Sequence, residues 1–486
     1  MKNAVLALVT VVLCTAMAEG LIRWLDSDAP SVATRHLDAI ALAPGVQRAW
    51  FAENPPPLPN RKPVPPEWRA LDQQIASSGV GGGTRRADAF KAWNSAFVGD
   101  PCEHWYLKDA PGRLFVYDPP GGSSRPPYRF LPDATTPIGL VTNAQGFRGA
   151  PVPARREPGT VRIAFLGAST TVGSHDIAWS YPELVGNWLN LWAKARNLAV
   201  RFEVLNAGRE AVQSMDIAEI MATEVAPLAP DLVVYYEGAN QFDLRTVVPD
   251  VPPRTPYALQ LERQQRGWFA QRLHELAYDS ALARRLEMLL AAPPERGNGG
   301  EWSKPSYALQ WPVQLDEKNP DLSRKDLPVH LSTIIADLDR IRAKAIEAGA
   351  EMALASFKWL VADGMVLDPE RHRVILEYLN VGYAPFSYRD LERLANFQNR
   401  VLELYAASRK IDFLDIARLM PSDPDLFIDA IHGTQEGIRL QGWIALQLLI
   451  PVIDRHLADG TWPKKSFPAM PAPPPFEPRL VRFDCR

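Results

Sequence analysis

Between Val161 and about Leu449 the chain alternates two kinds of apolar pattern. The first kind is a short unbroken run: Ile163-Ala164-Phe165-Leu166, Val204-Leu205, Leu232 to Tyr236, Met352 to Ala355, and Phe413-Leu414. Runs of this length ending at glycine, asparagine or another polar residue predict strands buried on both faces. The second kind has apolar residues recurring at three and four, which predicts helices over Pro182 to Arg196, Ser214 to Ala226, Leu331 to Ala348, Tyr388 to Ser408 and Glu436 to His456. Strand and helix in alternation are the mark of a parallel sheet covered on both sides. The expected fold class is α/β, a three-layer doubly wound sheet of about five parallel strands, in a domain spanning 158–458.

The flanks break this rhythm. Residues 26–150 read as a proline-rich and β-containing extension, with short strands expected between Trp105 and Arg148. A long interval at about 241–327 reads as an insertion carrying a helical pair, Tyr257 to Ala277 and Ser280 to Ala292, before Gly297-Asn298-Gly299-Gly300. An insertion after the third strand adjoins whatever site the strand ends form, as a substrate-selecting cap or as plain packing. Residues 459–486 form a proline-rich tail.

Composition changes the picture at three points. Proline, 45 of 486 residues, is close to twice the usual share of about 5% and clusters outside the alternating region, where it rules out helix interiors and central strands. A net charge of −3, from 53 basic and 56 acidic residues, supplies no electrostatic footprint for a nucleic-acid partner. The opening Met1-Lys2-Asn3, followed by an apolar run from Ala4 to Ala18, reads as an export signal. Residues 1–25 then act as an uncleaved membrane anchor extended through Leu21, Ile22, Trp24 and Leu25, facing the periplasm or cell exterior, or as a peptide cleaved near Ala18. Large Leu13 before Cys14 argues against a lipoprotein. Cys102 and Cys485 could pair in an oxidising compartment or remain thiols. No cysteine cluster suggests a metal, and no cofactor is expected.

Ligands of doubly wound sheets bind beyond the carboxyl ends of the strands. After the first strand comes Gly167-Ala168-Ser169-Thr170-Thr171-Val172-Gly173, a tight turn able to expose a serine at its tip. Alone, such a turn is more often a helix cap or anion loop. Late in the chain, Phe427-Ile428-Asp429-Ala430-Ile431-His432-Gly433 sets a carboxylate three residues before an imidazole. That spacing lets the acid orient the ring while the other ring nitrogen serves a hydroxyl nucleophile. Gly208 after the second strand, Asn240 after the third, and the Ser169 amide are candidate donors to an oxyanion.

Serine, glycine, asparagine and histidine at successive strand ends resemble the SGNH hydrolases, the GDSL-type esterase superfamily. The resemblance covers roughly Val161 to Leu449, and Thr142-Asn143-Ala144-Gln145-Gly146-Phe147-Arg148 is similar to the lead-in of its membrane-anchored bacterial members. It implies Ser169 as nucleophile, His432 as base, Asp429 as orienter, and an oxyanion hole of Ser169, Gly208 and Asn240. Two departures, Ala168 where many members have Asp and Gln241 where many have Asp, put the support of the turn in doubt. Other residues take plainer readings: His175, Asp176, Asp423 and Asp425 as surface or loop positions, with Asp425 a distant substitute for Asp429; Trp179, Trp188 and Trp192 as core; Glu237 as a substrate contact.

The expected activity is therefore a serine esterase removing acetyl or other short acyl groups through an acyl-enzyme. Its expected partner is an acylated small molecule or glycan of the envelope or a secreted polysaccharide. An O-acyltransferase using the same triad, and a non-catalytic envelope-binding module, are the alternatives. Oligomeric state is not legible.

Overall fold

The computed structural model describes residues 2–27, 31–77, 125–126, 129–153, 156–173, 177–251, 280–290, 301–302, 304–368 and 371–475. The strands expected at Trp105 to Tyr117, the helix at Tyr257 to Ala277, the Gly297 to Gly300 turn, His175, Asp176, Cys102 and Cys485 lie outside the described residues.

Five parallel strands form one sheet: β1 (Thr160–Gly167), β2 (Arg201–Asn206), β3 (Leu232–Tyr236), β4 (Glu351–Ala355) and β5 (Asp412–Leu414), in the order β2-β1-β3-β4-β5. β1 is buried at every position because it has a parallel neighbour on each edge, with Ala164 opposite Leu205 on one side and Val233 on the other. Its polar member, Arg162, stays inside by bonding Glu203 and the carbonyls of Leu228 and Pro153. The chain leaves β1 towards β2 and then returns to the opposite side for β3. The strand order therefore reverses between β1 and β3, the place at the carboxyl ends where ligands of such sheets bind.

The helices are α1 (Lys2–Ser27), α2 (Val32–His36), α3 (Pro66–Ser77), α4 (Ser169–Val172), α5 (Tyr181–Ala195), α6 (Ser214–Ile220), α7 (Ala281–Leu290), α8 (Leu331–Glu347), α9 (Tyr388–Arg409) and α10 (Gln435–Ala458), with one-turn helices at Arg373–Glu377 and Ile416–Leu419. α5 packs on α10 in one layer, and α6 packs on α8 in the other. The helix expected to run from Ser214 to Ala226 is regular only to Ile220; it then widens to a π turn over Met221–Val225 and tightens over Ala226–Leu228.

The proline-rich stretch after the first helix, which showed no domain of its own in the sequence, lies along the α5/α10 seam. Ala33, Leu37, Ile40, Ala43, Val46, Trp50 and Phe51 join the central core. The backbone is pinned there by side chains: Trp188 Nε1 donates to Trp50 O at 2.7 Å, Trp192 Nε1 to Pro44 O at 2.9 Å, and Ala43 N–H to Gln447 Oε1 at 2.7 Å. Trp188 and Trp192 are thus core residues, fully buried, and Trp179 packs partly buried against the same core. The tail is also docked as far as it is described. Trp462 is buried, and Arg129 Nη1 donates to Pro474 O at 2.8 Å.

Of the expected helical pair in the insertion, the second helix is present as α7. Its first turn is capped by α1: Glu19 accepts from Ser280 Oγ at 2.7 Å and from the amides of Ala281 and Leu282, each at 2.9 Å. Among the described residues no helix is long and apolar enough to cross a membrane, so α1 lends no support to the anchor expected from the sequence.

Candidate active site

Ser169 stands on a very short passage from strand to helix. β1 ends at Gly167, and α4 begins two residues later. A side chain at Gly167 would collide with Tyr236 O and Thr171, so only glycine lets the helix fold back this closely over β3. Ala168 O accepts from the amides of Thr171 at 2.9 Å and Val172 at 3.0 Å. The amides of Ser169 and Thr170 open the helix, where none of its own carbonyls precedes them.

Neighbouring elements brace this turn. Asn206, at the end of β2, donates to Thr171 O at 2.9 Å and Ser180 Oγ at 3.0 Å. Arg148 pairs with Asn206 in an antiparallel bridge, then sends its guanidinium to Gly173 O, to Ile177 O at 2.9 Å and to Glu183 at 3.0 Å. The Thr142-to-Arg148 lead-in therefore clamps the exit of the nucleophile helix.

The opposing loop closes on itself between Phe427 and Gly433, which form an antiparallel bridge, with Ile428 N–H donating to His432 O at 2.8 Å. Within this loop Asp429 Oδ1 accepts the amides of Ile431 and His432, each at 2.8 Å, leaving Oδ2 for His432 Nδ1 at 2.8 Å. The other ring nitrogen, Nε2, lies 2.8 Å from Ser169 Oγ. Because an ionised carboxylate only accepts, the ring proton sits on Nδ1, and Nε2 is free to accept the serine hydroxyl. Burial works against the Asp429 carboxylate, but the imidazole and the two amides outweigh it and hold its pKa below the ordinary value. Burial likewise disfavours a charged His432. Asp429, with Glu210 and Glu237 beyond, overrides that and raises the imidazole.

The expected oxyanion donors fare differently. The Gly208 amide donates to Asn206 Oδ1 at 3.1 Å. Gly208 is needed for another reason: a Cβ there would sit 2.5 Å from Val172 N and 3.0 Å from Thr171 C, against the back of α4. Asn240 is half-buried and donates from Nδ2 to Val212 O at 2.8 Å, which leaves the second Nδ2 hydrogen for a ligand. Gln241, the departure beside it, accepts the Ser214 amide at 2.7 Å and so ties the Asn240 loop to the start of α6.

Glu237 turns inward instead of towards a substrate, accepting the amides of Ala239 at 2.9 Å and Asn240 at 2.7 Å. Asp423 bonds His36 at 2.9 Å, and Asp425 bonds Arg371 at 2.6 Å and His372 at 3.1 Å, so neither reaches His432 in place of Asp429.

Sequence reading missed three features. Ala211 adopts φ 57°, a left-handed conformation unusual for a residue with a Cβ, one position before the carbonyl that holds Asn240. Glu210 is buried and bears on His432. The third is an aromatic wall made of Phe242, Trp359, Tyr383 and Tyr378. Phe242 lies 4.6 Å from Trp359 between ring centroids, Trp359 5.4 Å from Tyr383, and Tyr383 5.3 Å from Tyr378. Phe242 follows Asn240 by two residues, and the Leu360 amide donates to Ala430 O at 2.7 Å, so the wall runs between the Asn240 turn and the Asp429–His432 loop. Nothing in the spacing of these aromatics along the chain announces their meeting.

No protein-family model and no curated relative matches the chain. Several solved structures resemble it. A lipase/acylhydrolase from Enterococcus faecalis is 15% identical with a TM-score of 0.32, over 60% of this chain and 96% of that one. A GDSL-like lipase from Bacteroides thetaiotaomicron is 14% identical with a TM-score of 0.28, over 61% and 88%. An acetylxylan esterase from Geobacillus stearothermophilus is 13% identical with a TM-score of 0.31, over 60% and 94%. Likeness this distant leaves the chemistry of this chain to be read from its own site.

Proposed function

We propose that this chain is a serine ester hydrolase whose nucleophile is Ser169. The observation that carries the reading is the unbroken relay from Asp429 Oδ2 through His432 to Ser169 Oγ, each link 2.8 Å, at the crevice between β1 and β3. In this reading His432 Nε2 takes the hydroxyl proton as Oγ attacks an ester carbonyl, and Asp429 holds the imidazolium that forms. The Ser169 amide and the free hydrogen of Asn240 Nδ2 receive the oxyanion. His432 then protonates the departing alcohol, and water, deprotonated by the same nitrogen, releases the acid from the acyl-enzyme. Each step uses groups this chain provides.

For substrate, we propose short acyl esters on a glycan, encountered after export. What supports the glycan is the aromatic wall: Tyr378 and Tyr383 are its partly exposed members, and a ring with a polar tip suits the mixed apolar and hydroxyl faces of a sugar. What supports export is the Lys2-to-Ala18 sequence pattern.

The test is hydrolysis of short-chain aryl acetates by the protein from about Asp26 onward, beside Ser169→Ala. Loss of several orders of magnitude in the variant is expected. Equal rates in both would remove the serine mechanism. Added polysaccharide gaining acyl esters instead of losing them would move the assignment to an O-acyltransferase with the same relay.

A further inference from the structure

Glu237 is an acid in an unusual setting. It is 4% exposed, directly follows β3, and bends back over the turn it begins. Its Oε1 accepts the amides of Ala239 and Asn240, and the Gly238 amide also bears on the carboxylate. These bonds fix the peptide planes on both sides of Ala239 and so set the direction in which the Asn240 side chain leaves the backbone. The same turn is held from outside by Gln398 Nε2, which donates to Gly238 O at 2.7 Å, and by the bond from Asn240 Nδ2 to Val212 O. A neutral acceptor could satisfy these amides equally well, so the turn alone does not call for a carboxylate.

The charge has a second neighbour, His432. His432 and the phenols of Tyr235, Tyr236, Tyr378 and Tyr383 bear electrostatically on Glu237, and Asp429, Glu210 and Glu237 are among the groups that bear on His432. Burial pushes the Glu237 carboxyl up to about 7, opposed by the backbone amides and by His432. An acid kept at such a cost beside the base points to a role in the site.

We propose that Glu237 is a positioning residue that aims Asn240 at the oxyanion through its turn. The proposal rests on the serine-hydrolase reading.

Two variants separate the parts. Glu237→Gln keeps an acceptor oxygen for the Ala239 and Asn240 amides and removes the charge; Glu237→Ala removes both. Glu237→Ala is expected to lose about 10²- to 10³-fold in kcat, the loss typical of an oxyanion donor. Combined with Asn240→Ala, it should add little to the loss from Asn240→Ala alone. Partial rescue of kcat by Gln over Ala would follow from the retained acceptor. Fully multiplying losses in the double variant, or no rescue by Gln, would overturn the positioning role. Parent rates in Ser169→Ala would sink the hydrolase reading and this one with it, whereas an inactive Ser169→Ala beside multiplying losses would sink the positioning role alone.

Discussion

At the residue scale, the proposed mechanism turns on the protonation of the His432 imidazole. Only its neutral form can take a proton from Ser169, and its pKa is raised by Asp429, Glu210 and Glu237 against the opposing effect of burial. The sign follows directly: as pH falls through the raised value the base is lost, so the acid limb of kcat/KM should lie above the ordinary histidine value of about 6.5. Asp429→Asn removes the strongest of these charges and leaves the two backbone amides of the loop an acceptor. It should shift the limb to lower pH while cutting the plateau by about 10⁴-fold, since the ring loses both its orienter and its fixed tautomer. A pH–rate series of both proteins on one aryl ester checks this, and a limb that stays in place would show that Asp429 does not govern the imidazole. Asp429 and His432 were readable in the chain as a carboxylate three residues before an imidazole, whereas Ser169, 263 residues from His432, stood out by the strand-to-helix turn it occupies.

At the element scale, what positions Ser169 is the crowding of β1, α4 and the end of β2. Gly167 and Gly208 are both places where another element's backbone passes within contact distance, and Asn206 spans the gap with three hydrogen bonds of 2.9 to 3.1 Å. Gly208→Ala should therefore act on the nucleophile from behind. Its Cβ would press on Val172 N and Thr171 C, both backbone, so strain of about 1–3 kcal/mol and a displaced Ser169 are expected together. Thermal unfolding and kcat, measured on the same preparation, should both fall. A drop in stability with kcat intact would mean that the turn absorbs the methyl without moving the hydroxyl. The sequence pointed to Gly208 as an amide donor; the packing also needs its side-chain-free Cα, a requirement set by a neighbour on the preceding strand–helix turn and invisible in the local pattern. Similarly, periodicity located the helix after Ser214 but not its π turn at Met221–Val225, because apolar spacing barely changes when one residue is added to a turn.

At the scale of the whole molecule, the α/β layers are closed on one side by a segment from far outside them. Phe51 lies 6.3 Å from Trp188 and 5.6 Å from Trp443 between ring centroids, sealing the seam between α5 and α10. Residues 31–54 thus belong to the folded unit that carries the site. Phe51→Ala should cost about 3–5 kcal/mol, the usual loss for emptying an aromatic site in a core. A midpoint of urea unfolding close to the parent's would contradict this placement. The same view explains why the proline-rich regions resisted reading from the chain. Extended segments have no period to detect, and their apolar residues become core only when two helices present a groove to receive them.

The chain by itself determined the class of fold, the five strands and the helices between them, since burial on two faces and burial on one leave different periods in a sequence. It also determined which serine, aspartate and histidine would meet. Tertiary structure alone decided the strand order, the partners of Gly208 and Glu237, the left-handed Ala211, and the aromatic wall beside Asn240. Each of these depends on groups distant in sequence arriving at one point, and local patterning carries no record of an encounter that only the closed fold creates.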